Sequence, residues 1–300
     1  MLNIENFVLD NDLGKLILNT SLKNYNTYKV EATAKYIFYP YNVENLIKML
    51  EYIKENNLSY KILGKGSNLI FNFDVYEGIL IKLDELNQVT IEDDTITVES
   101  GYPLIKLAME VSNLGLTGLE FASGIPGTIG GAVYMNAGAY KSDMSNVIED
   151  VTYLTPELEI KTVKNEELNF GYRTSIFKEN KDNVILKTTL KLSKGDKEEI
   201  LKLIQERATK RKESQPLEYP SAGSVFRNPE GDFAGRLIEK QGFKGKNING
   251  AEVSTKHANF IINTDNCSGK DIVELINEIK ETIKKEYDID LILEQEIIEK

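Results

Sequence analysis

A glycine-rich, apolar stretch restricts the structures open to this chain more than any other segment. It reads FASGIPGTIGGAVYMNAGAY at residues 121–140. Its glycines disfavour a helix, and its apolar residues are unsuited to a solvated linker. Backbone without Cβ atoms permits close approach, either by other backbone or by a ligand. A second glycine-bearing loop, GKGSNL at 64–69, also lies beside strand-like sequence.

Composition excludes several classes of function. With 300 residues, 41% of them hydrophobic, the chain can bury a core and form two or three domains. A net charge of −11 disfavours general affinity for nucleic acid or anionic membranes. The single cysteine, Cys267, rules out an internal disulfide framework and a cysteine-cluster zinc site. No apolar run reaches the ~18 residues of a membrane helix, and the start MLNIENFVLD is unlike a signal peptide, so we expect a cytoplasmic protein.

The only histidine, His257, limits the available chemistry. A Ser-His-Asp triad would have to use it, and an HExxH zinc helix is impossible, so we expect no metal site. The alternation in STKHANFIIN predicts a strand, in which a lone histidine more often satisfies local hydrogen bonds than performs catalysis. General acid or base chemistry is therefore expected from other residue types.

Alternating helix and strand patterns predict an α+β fold. Helical spacing of apolar residues indicates helices within 42–57, 102–115, 196–216, 233–242 and 269–287. Strand patterns occupy 60–63, 78–83, 94–100, 147–164, 183–195, 258–262 and 291–299. The helix that stops before Pro216 marks a domain boundary.

The two glycine loops match neither common phosphate-binding signature. There is no G-x-x-x-x-G-K-[ST], and GKGSNL has Leu69 where a dinucleotide fingerprint has its third glycine. Converging amides could still hold an anion, with Ser67, Asn68 and Thr128 adding side-chain hydrogen bonds, and two loops together could grip a pyrophosphate. The alternative is that the glycines serve tight turns or backbone packing.

Five motifs together carry a family resemblance. LGKGSNLI and GIPGTIGGAVYMNAGAY resemble the two FAD-binding segments of the vanillyl-alcohol-oxidase/PCMH-type flavoprotein fold. GYRTS, SAGSVFRNP and the terminal LEQEI extend this to a resemblance to the UDP-N-acetylenolpyruvoylglucosamine reductase (MurB) family, in order and rough spacing. Two departures are Lys65, where the family usually has glycine, and Ile297–Ile298 after Glu296, where it commonly has arginine. The short connection between 140 and 168 resembles the branch without a tyrosine-bearing capping loop.

The resemblance implies a three-domain enzyme of peptidoglycan precursor synthesis. Residues 1–84, joined by 289–300, and residues 85–196 would form the FAD-binding module, and 197–288 the substrate-binding domain. FAD would be held without a covalent link, because the N-terminal half has no histidine. NADPH would supply a hydride that reduces UDP-N-acetylglucosamine enolpyruvate to UDP-N-acetylmuramate. We expect a monomer whose partners are these small molecules.

Roles for individual residues also follow from the resemblance. Arg173 would bind the substrate carboxylate, Ser224 would donate the proton, and Glu296 would be the third catalytic residue. Tyr172 and Asn228 would contact substrate. The expected FAD-binding residues are Gly64, Lys65, Gly66, Ser67, Asn68, Leu69, Gly124, Ile125, Pro126, Gly127, Thr128, Gly130, Gly131, Ala137 and Gly138.

Two other functions remain open from the sequence. The first is another flavin enzyme of the same fold, an oxidase or dehydrogenase of a hydroxy acid or sugar, which would reduce its flavin with substrate and need no NADPH. The second is a non-catalytic nucleotide-binding module, which would purify without colour.

Overall fold

A computed structural model of the chain describes residues 3–299, in which helices and strands are mixed. The α-helices of this part of the chain are α1 Ile4–Asp10, α2 Val43–Glu55, α3 Leu104–Asn113, α4 Ile129–Tyr134, α5 Ile176–Glu179, α6 Lys197–Ser214, α7 Ala234–Lys240 and α8 Gly269–Tyr287. The first nine strands are β1 Gly14–Ser21, β2 Thr33–Pro40, β3 Tyr60–Ile62, β4 Leu69–Phe71, β5 Val75–Ile81, β6 Val89–Glu92, β7 Thr95–Glu99, β8 Leu116–Thr117 and β9 Gly138–Ala139. The remaining strands are β10 Ser142–Asp143, β11 Ile148–Leu154, β12 Ile160–Lys164, β13 Val184–Lys191, β14 Ser193–Lys194, β15 Asn247–Ile248, β16 Ala251–Val253, β17 Ile261–Asn263 and β18 Glu296–Ile298.

The chain divides into two compact units, each assembled from separate stretches of sequence. Unit 1 comprises Met1–Leu18, Tyr36–Lys65 and Gly78–Ala208. Unit 2 comprises Asn19–Lys35, Gly66–Glu77 and Thr209–Lys300. The mixture of helices and strands confirms the predicted α+β class. The three-domain division stays a prediction.

The largest sheet of unit 1 is antiparallel and anchors the glycine-rich stretch. Its strand order is β12-β11-β13-β7-β6. Alternation along β7 buries Ile96 and Val98, as the period of a strand requires. Ile129 and Val133 of α4 belong to the same apolar core, so the helix that follows the glycine-rich loop is fixed to this sheet.

A strand–helix–strand unit forms the second core of unit 1. The helix α2 begins after Asn42, whose side chain accepts a hydrogen bond of 2.9 Å from the Asn45 amide. Its buried face packs in one cluster with Ile79 and Ile81 of β5, beside which β3 runs parallel. The spacing of apolar residues in the sequence predicted this unit, and the structure confirms it.

Unit 2 is built around its long C-terminal helix. Ser268 and Asp271 form a capping box at the start of α8. The helix then buries one face, which packs with the antiparallel sheet β15-β16-β17 through Ile272, Leu275, Ile276, Ile279 and Ile283. The strand β18 runs parallel to β4, with Glu296 opposite Leu69.

Three sequence-based expectations differ from the structure. The glycine-rich stretch does contain a helix, α4, because Thr128 caps it and its apolar face is buried. His257 lies in a turn before β17 rather than in a strand, since its Nδ1 accepts a hydrogen bond of 3.2 Å from the Asn259 amide. The last strand covers only Glu296–Ile298, because the preceding residues pair with a different segment.

We predict that Gly269→Ala strongly destabilises unit 2. A Cβ at this position would lie 1.9 Å from the Phe71 carbonyl oxygen, so α8 would have to separate from β4. The free energy of unfolding should fall by about 3 kcal/mol, the upper part of the usual range for overpacking. Urea denaturation measures it. Gly235→Ala is the matched control, because its Cβ would meet nothing closer than 3.5 Å; equal stability of the two variants would contradict the proposed contact.

Candidate active site

The glycine-rich loop of unit 1 is held in a fixed conformation at its start and end. The Leu104 amide donates to the Gly127 carbonyl at 3.0 Å, and the Ile129 amide donates to the Tyr102 carbonyl at 3.0 Å. Thr128 caps α4, and its Oγ1 accepts a hydrogen bond of 3.3 Å from the Gly131 amide. The side chain of Thr128 is therefore used as the N-cap of α4.

Two amides of this loop have the character of an anion cradle. Among the residues that the structure describes, the amides of Gly127 and Thr128 donate to no other group. A Cβ at Gly127 would meet nothing within 4 Å, so open space lies beside the loop. Amides that have no acceptor within the protein and lie next to open space suit the approach of a pyrophosphate. The loop fits a dinucleotide such as FAD on this ground.

Gly130 has a different role from Gly127. Its amide donates to the Ser100 carbonyl at 2.9 Å, and a Cβ here would lie 3.0 Å from the Ser100 Cβ. Close packing of α4 against the turn after β7 therefore favours a small residue at Gly130. The sequence raised both explanations for these glycines, and the structure separates the two positions.

The first glycine loop begins in unit 1, next to the second. A Cβ on Gly64 would lie 3.1 Å from Thr128 Oγ1, so the two loops are neighbours at this point. The Gly64 carbonyl accepts a hydrogen bond of 2.8 Å from Lys82 Nζ, which also pairs with Asp84 at 3.1 Å. Burial lowers the pKa of Lys82. Sequence reasoning missed this buried lysine, although a lysine inside the apolar run GILIKL was a usable signal.

The rest of the first loop belongs to unit 2. Gly66 adopts a φ of +64°, and a Cβ would lie 2.1 Å from the Tyr25 carbonyl oxygen, so glycine is required there. The Asn68 side chain donates to the Glu294 carbonyl at 3.0 Å, and the Asn68 carbonyl accepts from the Glu296 amide at 2.9 Å. Asn68 therefore ties the loop to the terminal strand.

Arg173 lies beside two other predicted site residues of unit 1. Its Nη2 donates to the Gly138 carbonyl at 2.7 Å, and its guanidinium carbon lies 5.3 Å from the centre of the Tyr172 ring. Its backbone is left-handed, with a φ of 58°. The structure thus brings a predicted carboxylate-binding arginine together with one predicted cofactor residue and one predicted substrate residue.

Asn136 connects the two segments that form this corner, and sequence reasoning missed it. It is buried and left-handed, with a φ of 41°. Its Nδ2 donates to the Gly171 carbonyl at 3.0 Å, and its Oδ1 accepts from the Ser145 amide at 3.0 Å. Asparagine tolerates this backbone better than most residues. The segment that ends in Gly138 is thereby fastened to the segment that carries Arg173.

Ser224 lies in a segment of unit 2 that is anchored on its C-terminal side. The Val225 amide donates to the Asn259 carbonyl at 2.9 Å, and the Asn259 side chain makes hydrogen bonds of 3.0 and 2.8 Å with the Phe226 backbone. The Val225 carbonyl accepts from the Glu294 amide at 2.9 Å. Ser224 therefore directly precedes Val225, which is hydrogen-bonded to the segment that leads to Glu296.

Two further predicted residues of unit 2 have clear local positions. Asn228 is exposed, and its Oδ1 accepts a hydrogen bond of 3.1 Å from the Ala234 amide at the start of α7. Glu296 is half-buried as the first residue of β18. Asn228 therefore has a structural partner in addition to any contact with substrate.

His257 makes local contacts that support Asn259. Its ring packs edge-on against Phe260, and its Nδ1 is an acceptor for the Asn259 amide. Burial lowers the pKa of His257, which favours the neutral ring that this hydrogen bond requires. The expectation that this histidine satisfies local hydrogen bonds is confirmed.

Comparison with known proteins gives two family matches, which cover separate parts of the chain. Residues 34–164 match the family described as "FAD binding domain", and residues 215–298 match "UDP-N-acetylenolpyruvoylglucosamine reductase, C-terminal domain". The first match contains both glycine loops, and the second contains Ser224, Asn228 and Glu296.

Whole-chain relatives agree with these matches. The chain is similar to UDP-N-acetylenolpyruvoylglucosamine reductase 1 of Bacillus cereus, with 42% identity over 299 residues and 99% of each chain covered. It is 40% identical over 290 residues to the UDP-N-acetylenolpyruvoylglucosamine reductase of Bacillus subtilis, with 96% of each chain covered. The crystal structure of UDP-N-acetylenolpyruvylglucosamine reductase (MurB) from Thermus caldophilus superposes with a TM-score of 0.81 at 33% identity, over 95% of this chain and 99% of that one.

We predict that Gly127→Leu abolishes binding of FAD without unfolding the protein. A Cβ at this position would meet nothing within 4 Å, and the side chain beyond it would occupy space beside the bare amides. Absorbance of bound flavin after reconstitution with FAD measures binding, and thermal unfolding measures stability. Gly127→Ala should retain part of the affinity. A Gly127→Leu protein that still binds FAD like the natural protein would mean that this loop does not contact the cofactor.

We also predict that His257 makes the protein less stable in mild acid. The folded state holds the proton less well than the unfolded chain, so stability is lost as the pH falls below about 6.5, the ordinary pKa of histidine. His257→Gln should reduce the difference in the free energy of unfolding between about pH 7.5 and about pH 5.5. Urea denaturation at each pH measures it, and an unchanged difference would contradict the account.

Proposed function

Because the chain belongs to the family of UDP-N-acetylenolpyruvoylglucosamine reductases, we propose that it reduces the enolpyruvyl ether of UDP-N-acetylglucosamine with bound FAD and with NADPH as the electron donor. The product is UDP-N-acetylmuramate, a precursor of peptidoglycan. The protein is an oxidoreductase and a flavoprotein. No helix among residues 3–299 has the length and apolarity needed to cross a membrane. We expect the enzyme to act in the cytoplasm.

One observation carries the proposal. Within the part that matches the reductase C-terminal domain, the segments of Ser224 and Glu296 are joined by the hydrogen bond from the Glu294 amide to the Val225 carbonyl. A serine hydroxyl and a carboxyl group therefore sit on paired segments of unit 2. Such a pair suits a reaction that adds a hydride and a proton across a carbon–carbon double bond.

FAD would be held by the glycine loops. When bound, it carries a hydride from the reduced nicotinamide to the double bond of the substrate. The open amides of Gly127 and Thr128 are the natural donors to its pyrophosphate. Lys82 stabilises the first loop by donating a hydrogen bond to the Gly64 carbonyl. The remaining residues of the two loops, together with Ala137 and Gly138, complete the proposed binding set.

Arg173 would bind the carboxylate of the substrate. Hydride arrival at one carbon leaves negative charge on the neighbouring carbon and its carboxylate, and a guanidinium fork can stabilise this charge through two hydrogen bonds. The bond to Gly138 and the adjacent Tyr172 ring restrict the side chain before substrate arrives. Asn136 fixes the backbone on which this arrangement is built.

Ser224 would give its hydroxyl proton to the carbon that bears this charge. A serine hydroxyl is a weak acid, so the step depends on the strong basicity of the enolate-like carbon. Glu296 would assist this protonation, and Asn228 would contact the substrate. These roles follow the family motifs residue by residue, with Ile297 and Ile298 in place of the usual arginine.

We predict that Ser224→Ala separates the two halves of the reaction. Reduction of bound flavin by NADPH should continue, because no proton passes to a carbon atom in that half. Turnover should fall by about 10² or more, as expected for loss of a general acid. Stopped-flow absorbance of the flavin measures both halves, and Ser221→Ala is the control within the same segment.

Three outcomes would overturn parts of this proposal. Near-normal turnover of Ser224→Ala would remove Ser224 from its role. Reduction of the flavin by a hydroxy acid or sugar, with no response to NADPH, would favour an oxidase of the same fold. Absence of bound flavin after gentle purification and addition of FAD would favour a non-catalytic nucleotide-binding module.

A further inference from the structure

The terminal segment of unit 2 contains a buried amide that none of the proposed roles uses. Gln295 stands between Glu294 and the proposed catalytic residue Glu296, and its side chain is 3% exposed. It contacts Tyr28, which is fully buried, and the backbone just before Ser224. We propose that Gln295, oriented by Tyr28, is a positioning residue that sets the place of Ser224 for protonation of the substrate.

The hydrogen bonds of Gln295 have only one consistent arrangement. Its side chain lies 3.1 Å from the Ala222 carbonyl, 3.1 Å from the Gly223 carbonyl and 3.0 Å from the Tyr28 hydroxyl. Carbonyl oxygens can only accept, so Nε2 must face both of them. Oε1 therefore faces Tyr28, whose hydroxyl must donate. Burial raises the pKa of Tyr28, so this hydroxyl keeps its proton throughout the range in which the enzyme works.

The backbone before Ser224 needs such an anchor. Gly223 adopts a φ of +78°, and a Cβ there would meet nothing within 4 Å, so no packing on that side of the backbone holds it in place. Glycine has the largest choice of backbone conformations of any residue. The two bonds from Nε2 fix the carbonyls of Ala222 and Gly223, while Asn259 and Glu294 fix the segment on the other side of Ser224. Ser224 is thereby held from both directions.

The same side chain links Ser224 to Glu296. Gln295 is covalently joined to Glu296 and hydrogen-bonded to the residue that precedes Ser224. A displacement of Gln295 would therefore change the position of Ser224 relative to Glu296. A polar side chain in this buried place costs free energy unless every donor and acceptor finds a partner, and the three contacts supply those partners. The amide thus specifies one geometry where an apolar side chain would permit several.

The test compares Gln295→Met with a matched control in the same unit. Methionine preserves the approximate volume but removes the two donors and the acceptor. The control is Gln241→Met, which also removes a glutamine–tyrosine hydrogen bond, the one of 2.7 Å from Gln241 Nε2 to the Tyr287 hydroxyl. Tyr28→Phe is a second variant, which removes only the hydroxyl that orients the amide.

The expected result is a selective loss. In Gln295→Met the substrate-dependent reoxidation of reduced flavin should slow about tenfold or more, because a misplacement of ~1 Å can cost ~10²-fold. Reduction by NADPH and binding of FAD should stay within about twofold of the natural enzyme, since neither needs Ser224. The rate of flavin reoxidation in Tyr28→Phe should lie between those of the natural enzyme and Gln295→Met. Gln241→Met should match the natural enzyme in both halves of the reaction.

Hydrogen exchange gives a readout that does not depend on activity. Amides of residues 222–227 should exchange faster in Gln295→Met than in the natural protein, while those of β16 and β17 should not change. The proposal depends on the proposed function, and this measurement keeps the two apart. If the natural protein does not reduce the enolpyruvyl ether, the proposed function is wrong. Faster exchange at 222–227 in Gln295→Met would then still support the anchoring of this segment.

Three results would overturn the proposal. In the first, Gln295→Met reoxidises its flavin as fast as the natural enzyme does. In the second, both halves of the reaction, FAD binding and thermal stability decline together, which would make Gln295 a general structural residue. Unchanged exchange at 222–227 would likewise contradict the anchoring role, whatever the activity.

Discussion

The pairing of the last strand-like segment, residues 292–298, is the constraint on which the unit 2 part of the candidate site depends. The segment pairs first with the stretch after Ser224, through the hydrogen bonds to Val225 and from the Arg227 amide to the Ile292 carbonyl at 2.9 Å. It then turns to run parallel to β4, beginning at Glu296. Here one short segment fixes the serine, the glutamate and the last part of the first glycine loop.

Hydrogen bonds to backbone atoms position several of the proposed site residues within the protein itself. Asn68 is bound to the terminal segment, Asn228 to the start of α7, and Arg173 to Gly138. Asn136 and Arg173 both adopt left-handed backbone, a conformation that costs free energy and occurs often at functional sites. The protein thus arranges its polar groups in advance, which reduces the ordering cost when substrate binds.

The sequence predicted those features that depend on local spacing. Helical periodicity predicted α2 and α8, and alternation predicted β7, because burial of one face follows directly from the period of each element. The glycine loops and the register of five motifs pointed to the flavoprotein resemblance. Local spacing does not show which distant backbone a side chain will meet. Tyr28 and Gln295 are 267 positions apart, and Lys82 reaches Gly64 from the residue just after β5, so neither bond was foreseeable. The strand predicted around His257 was wrong for the same reason, because its turn is set by Asn259.

The most direct test of the proposed function is a single-turnover experiment on the natural protein. The enzyme is loaded with FAD, reduced under anaerobic conditions with NADPH, and mixed with UDP-N-acetylglucosamine enolpyruvate. The account predicts that the flavin is reoxidised and that one molecule of UDP-N-acetylmuramate forms for each flavin. Flavin that stays reduced in the presence of this substrate, or reoxidation without formation of the saturated product, would contradict it.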